Sequence, residues 1–156
     1  MSSIFDKGPR PRSLGGTVNT VGTVTVRVRK ARGLLHADHV GKCAGPVLVK
    51  VKAGTCAAQA TKPVHGNACL DFENQLFRFP VRGNAARHTN VEIMLFDKGV
   101  IVDELVGFHT ITIEPTGRRN KVWLPVATGG GSQTGEVCVD VHYEVLPAPT
   151  VGGGSG

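Results

Sequence analysis

Three consecutive stretches decide the fold: Thr23-Val24-Thr25-Val26-Arg27-Val28-Arg29, the connector Leu35-His36-Ala37-Asp38-His39-Val40-Gly41-Lys42, and Val47-Leu48-Val49-Lys50-Val51-Lys52. On both sides of the connector, apolar residues return at every second position, the period of a strand with one buried face. Val24, Val26 and Val28 share one face, while Thr23, Thr25, Arg27 and Arg29 share the other. Val47, Val49 and Val51 repeat the pattern against Leu48, Lys50 and Lys52. Valine stiffens the backbone at χ1 and packs well on a pleated surface, so both runs read as strands.

Outward from this pair the same period recurs. A third short strand is expected near Cys56–Thr61. Phe72–Val81 is strand-like, but Leu76, Phe77 and Phe79 break strict parity, which predicts a bulge. Val91, Ile93 and Leu95 alternate with Glu92, Met94 and Phe96, as in a strand buried on both faces. Leu105–Ile113, Val122–Val126 and Val137–Tyr143 follow. Short strands separated by turn signals, with no helical period, predict an all-β, eight-stranded antiparallel β-sandwich.

Length and composition agree. The chain has 156 residues, enough for one domain with a core, and is 40% hydrophobic but only 5% aromatic, so Val, Ile and Leu must do the packing. Its 21 Gly and 9 Pro read as frequent turns. Residues 1–20 carry Pro, Gly, Ser and Arg without periodicity and read as a disordered basic segment. Residues 21–146 form the domain, and 147–156 read as a flexible Gly/Pro-rich tail. Met1–Gly16 holds no continuous apolar core, so no signal peptide is expected, and no run reaches a membrane span. Cys43, Cys56, Cys69 and Cys138 form no CxxC pair, which argues against a zinc knuckle and fits reduced thiols in the cytoplasm.

From Gly22 to Tyr143 the order of landmarks resembles a C2 domain. The opening strand leads through Ala31-Arg32-Gly33-Leu34-Leu35 to the Asp38 connector. Phe72-Glu73-Asn74 looks like a degraded form of the family's Trp-Asn-Glu segment. Ile93-Met94-Leu95-Phe96-Asp97, Leu105-Val106-Gly107, Trp123-Leu124 and Gly135-Glu136-Val137 follow in family order. The Gly-start, Tyr-end strand comes last, which is similar to the family's type II strand order.

The resemblance implies where function would lie. Calcium-binding C2 domains hold Ca²⁺ with about five loop carboxylates, because this hard cation takes six to eight oxygen ligands. Asp38, Asp97 and Glu104 fall on such positions, with Asp103 a substitute. Ala44-Gly45-Pro46 and Gly99 stand where other ligands belong. The set is therefore incomplete, and at most weak Ca²⁺ binding with no other cofactor is expected. The bland alternative makes Asp38 and Asp97 turn formers. Val100, Ile101 and Val102 occupy the membrane-penetrating tip of C2 domains, unless they extend a hairpin and pack inward. Lys50 and Lys52 resemble a lysine pair that lines the phosphoinositide groove of some members, with Lys62 nearby. Edge-protecting lysines on a solvated face are the alternative. Lys98 adds a charge beside the tip.

Net charge of +6 and a pI near 9.5 favour anionic partners without choosing among them. Arg27, Arg29, Lys30 and Arg32 form a second basic cluster, but no aromatic side chain interleaves it, which argues against nucleic acid. His36, Asp38 and His39 lack a matched third metal ligand. His65 and Cys69 are four apart, a spacing that joins side chains on helices and not on strands. No GxSxG, HExxH or P-loop pattern occurs. The sequence therefore predicts a non-enzymatic module that binds anionic phospholipid peripherally without Ca²⁺, or else a protein–protein scaffold.

Overall fold

The computed structural model describes residues 20–35, 46–66, 69–83, 87–99 and 101–147. His36, Asp38, His39, Lys42, Cys43 and Val100 lie outside these, as do residues 1–19 and 148–156. The described chain forms β1 (Thr20–Arg32), β2 (Val47–Ala53), β3 (Gln59–Ala60), β4 (Cys69–Arg82), β5 (Thr89–Asp97), β6 (Glu104–Ile113), β7 (Arg118–Ala127) and β8 (Gln133–Val145). Every pairing is antiparallel. The hydrogen-bonded order is β3-β2-β5-β6-β7-β8-β1-β4.

One thin junction divides that order into two layers. β6 and β7 share a single register pair, Phe108 with Ala127, whereas β7 and β8 pair at eight positions. Thus β3-β2-β5-β6 makes one layer and β7-β8-β1-β4 the other. Val24, Val26 and Val28 of β1, Val49 and Val51 of β2, Ile93 and Leu95 of β5 and Val137, Val139 and Val141 of β8 are each fully buried in one shared core. Fully burying such a side chain stabilises by about 1.5–3 kcal/mol. Valine can therefore replace the missing aromatics by number. Phe72, Phe79 and Tyr143 fill the remaining space between the layers.

The period-2 signal located the strands but cut them short. β7 begins at Arg118, four residues before the apolar run, and β8 spans Gln133–Val145. The irregularity falls inside the Phe72–Val81 segment, near its start. Glu73 and Asn74 adopt φ of 57° and 56°, and the β1–β4 register jumps from Val28 opposite Gln75 to Lys30 opposite Asp71. Leu70 and Phe72 face inward before the bulge, Phe77 and Phe79 after it, and Leu76 is left outward. β5 is not buried on both faces: Glu92, Met94 and Phe96 are half-buried, since only its inner face meets the second layer. Leu48 is buried although it shares the outward parity of Lys50 and Lys52.

Candidate functional site

The chain reversals fall on two opposite rims. β1 ends where β8 begins, with the Leu35 N–H donating to the Thr134 carbonyl at 3.0 Å. β2 begins where β5 ends, with Val47 opposite Asp97 and the Lys98 N–H donating to the Pro46 carbonyl at 2.8 Å. The connectors after β1 and after β5 therefore meet on one rim, as the family resemblance requires. Val64 pairs with Val47, which brings the β3–β4 connector to the same rim. Connectors β2–β3, β4–β5 and β6–β7 leave from the far rim.

Residues 98–103 make a tight reversal at the near rim. Asp103 accepts a hydrogen bond from the Gly99 N–H at 3.3 Å and lies 3.9 Å from Lys98 Nζ. At Gly99 a Cβ would collide with the Val102 carbonyl, so no carboxylate fits where the family pattern asks for one. With the turn closed from within, its apolar residues point to solvent: Ile101 is 97% exposed and Val102 70%. Inward packing is excluded for both.

Asp97 and Glu104 sit opposite each other across the β5–β6 pair. Asp97 is buried and held by contacts of its own, while Glu104 is exposed. No group of three or more His, Cys, Asp or Glu side chains suited to a metal occurs among the described residues. With Asp103 beside an ammonium group, the two facing carboxylates offer at most four oxygens against the six to eight that Ca²⁺ takes.

The lysines lie along one edge of the same layer. Lys50 and Lys52 point outward from β2 as alternation predicts, and Lys52 is the more exposed. Lys50 Nζ stands 4.7 Å from the Phe96 ring centroid, a cation–π contact that anchors the charge on the sheet face. Lys62 is exposed between Thr61, whose N–H donates to the Val49 carbonyl, and Val64 opposite Val47, so it lies level with Leu48. Rim and lysines thus form one continuous basic and apolar margin. Sequence alone missed Phe96, because a cross-strand neighbour is set by register and not by the strand's own period.

Three of the four cations in the second basic cluster face carboxylates of the same chain. Arg29 donates to Asp140 through Nε, at 3.0 Å to each oxygen, and through Nη2 at 2.7 Å. Arg27 lies 3.8 Å from the same carboxylate. The hydrogen bond from Arg29 holds the Asp140 carboxyl below its usual range against the opposing effect of burial, helped by the Lys121 N–H. The same bond holds the Arg29 guanidinium above its ordinary value. Arg32 pairs with Glu136 at 2.9 Å and stacks 3.7 Å from the centre of the Trp123 ring. Three arginines of this cluster therefore face carboxylates of β8. Cys138 is buried, and burial pushes its thiol up, whereas Cys69 is exposed and so is not the core hydrophobe its residue type suggested.

No helix among the described residues is long and apolar enough to cross a membrane. Comparison with curated proteins finds no match. Among solved structures, a C2 domain of plant extended synaptotagmin 1 is similar with a TM-score of 0.67 at 21% identity, over 83% of this chain and 99% of that one. A C2 domain-containing protein from a putative elicitor-responsive gene gives 0.63 at 22% identity, over 90% of this chain and 100% of that one. Human GIVD cytosolic phospholipase A2 gives 0.60 at 18% identity, but only 16% of that enzyme is matched, by 84% of this chain. At these identities the likeness shows the fold. The family model for the C2 domain matches residues 22–126, and since these make up more than half of the sequence, the chain belongs to the C2 domain family.

Proposed function

We propose that this C2 domain is a non-enzymatic module that docks peripherally on anionic phospholipid at the cytoplasmic face of a membrane, without Ca²⁺. The observation that carries the reading is the exposure of Ile101 and Val102 on a turn that Asp103 closes from within, beside Lys98. Burying each side chain in lipid contributes roughly 1.5–3 kcal/mol. Each lysine near an anionic surface adds about 1 kcal/mol. The sum suits weak, reversible attachment. Lys98 and Lys62 lie at the rim, with Lys50 and Lys52 below. Val100 precedes these two in the sequence and lies outside the described residues.

Calcium is not required in this reading. Asp97, Glu104 and Asp38 are fewer than the about five loop carboxylates that calcium-binding C2 domains use to supply six to eight oxygens, and Asp103 is engaged by Lys98.

Sedimentation with phosphatidylserine vesicles in a chelating buffer tests the reading. The wild-type chain should pellet with vesicles, and Ile101→Asp with Val102→Asp should stay in the supernatant. Equal indifference of the wild type to anionic and neutral vesicles would sink the membrane reading and leave a protein–protein scaffold.

A further inference from the structure

On the far rim, a cleft of about 560 Å³ opens between the β2–β3 turn, the end of β4 and the start of β5. Arg82, Arg87, His88 and Asn90 line it, with Ala53, Pro80 and Val81 as an apolar wall. The lining contains no Asp or Glu. Neither arginine has an ion-pair partner among the described residues, in contrast to Arg27, Arg29 and Arg32 on the outer sheet. His88 leans away to Glu114 at 3.6 Å. These two arginines stand beside a cavity whose described lining holds no carboxylate.

We propose that the far-rim cleft receives a phosphorylated side chain on an extended segment of a partner protein. Guanidinium forks match phosphate oxygens in a bidentate way that a lysine cannot. The cleft is open to solvent along one side, whereas small-molecule sites enclose most of their ligand. Such an opening suits a side chain presented on a peptide backbone, with Pro80 and Val81 taking a flanking apolar residue. A lipid headgroup is the other source of phosphate, and geometry disfavours it. Thr89 lines the cleft and Asp97 borders the membrane tip, at opposite ends of one strand. Eight steps of about 3.3 Å separate them by roughly 26 Å. That is about three Debye lengths at physiological salt, so a domain docked by its tip holds the cleft clear of the bilayer. The choice of a peptide over a headgroup rests on the membrane reading above.

Fluorescence anisotropy with a labelled phosphoserine peptide, and with the same peptide unphosphorylated, provides the test on the full chain. The phosphopeptide should bind at least about ten-fold more tightly, and Arg82→Gln with Arg87→Gln should abolish the difference. Amide chemical-shift changes should concentrate at residues 53–55, 80–83 and 87–90. Binding unchanged in the double variant, or shifts centred on Lys50, Lys52 and Lys62, would overturn the proposal. Phosphatidylserine vesicles give the second arm. The double variant should sediment like the wild type, and a parallel loss of vesicle binding would make the arginines a membrane contact and end the peptide proposal. A wild type that ignores vesicles yet discriminates the phosphopeptide defeats the membrane reading and supports the cleft.

Discussion

Asp140 is the residue on which the outer face of the β7-β8-β1-β4 layer depends. It accepts from Arg29 and from the Lys121 N–H, which itself sits at a φ of 51°. Removing the carboxylate leaves a half-buried arginine and the strained irregularity of β7 at Lys121 without their acceptor. Asp140→Ala should therefore lower stability by about 1–2 kcal/mol in urea denaturation. The pH dependence has a definite sign. The folded carboxyl titrates below its ordinary value of 3.8, so its contribution is complete above about pH 4 and is lost as pH falls through the lower folded value. The gap between wild type and Asp140→Asn should thus be constant near neutral pH and shrink on acidification below about pH 4. A gap independent of pH throughout would mean that packing, not charge, holds Arg29.

Elements, rather than residues, carry the next two expectations. The β6–β7 turn runs Glu114-Pro115-Thr116-Gly117, closed by the Gly117 N–H donating to the Glu114 carbonyl at 2.7 Å. Thr116 has a φ of 64°, a left-handed position that suits Gly or Asn and crowds a β-branched side chain. Thr116→Gly should raise stability by up to about 1 kcal/mol, visible as a higher melting temperature. Toward the other rim, the seam between β6 and β7 has one register pair, and a hydroxyl reinforces it. Thr134 is fully buried, and its Oγ1 donates to the Val106 carbonyl at 2.8 Å, with the Val126 carbonyl at 3.3 Å. Thr134→Val conserves shape but removes that donor, and should cost about 1–3 kcal/mol. An unaltered denaturation midpoint would show that the seam needs no such bridge.

At the scale of the molecule, the question is how the domain would stand on a bilayer. Lys50 lies three residues from Val47 at the rim and Lys52 five, depths of roughly 10 and 17 Å. With charges screened over about 8 Å, an upright domain feels the membrane at Lys98 and Lys62, weakly at Lys50 and hardly at Lys52. In vesicle sedimentation at physiological salt, Lys98→Glu should weaken binding most, Lys50→Glu less, and Lys52→Glu least. Equal losses for Lys50→Glu and Lys52→Glu would mean that the domain lies on the β2 face instead of on its tip.

The sequence by itself determined the strands, because Val24-Val26-Val28 and Val137-Val139-Val141 carry a period that only a half-buried pleat uses. It also indicated the order of connectors, and with it the rim shared by the reversals flanking β2 and β5. It held a sign of the β4 irregularity in its broken parity, but not the place, because the left-handed pair Glu73-Asn74 contains no glycine. Tertiary structure decided the fate of the charges. Arg29 and Asp140 are 111 residues apart, so no local pattern could reveal that Arg27, Arg29 and Arg32 face carboxylates of β8 while Arg82 and Arg87 have no ion-pair partner among the described residues. It also decided which apolar residues face water: Ile101 and Val102 look like core by residue type, and only the turn that Asp103 closes turns them outward. Period is a property of neighbours in the chain. Pairing and exposure belong to neighbours in space.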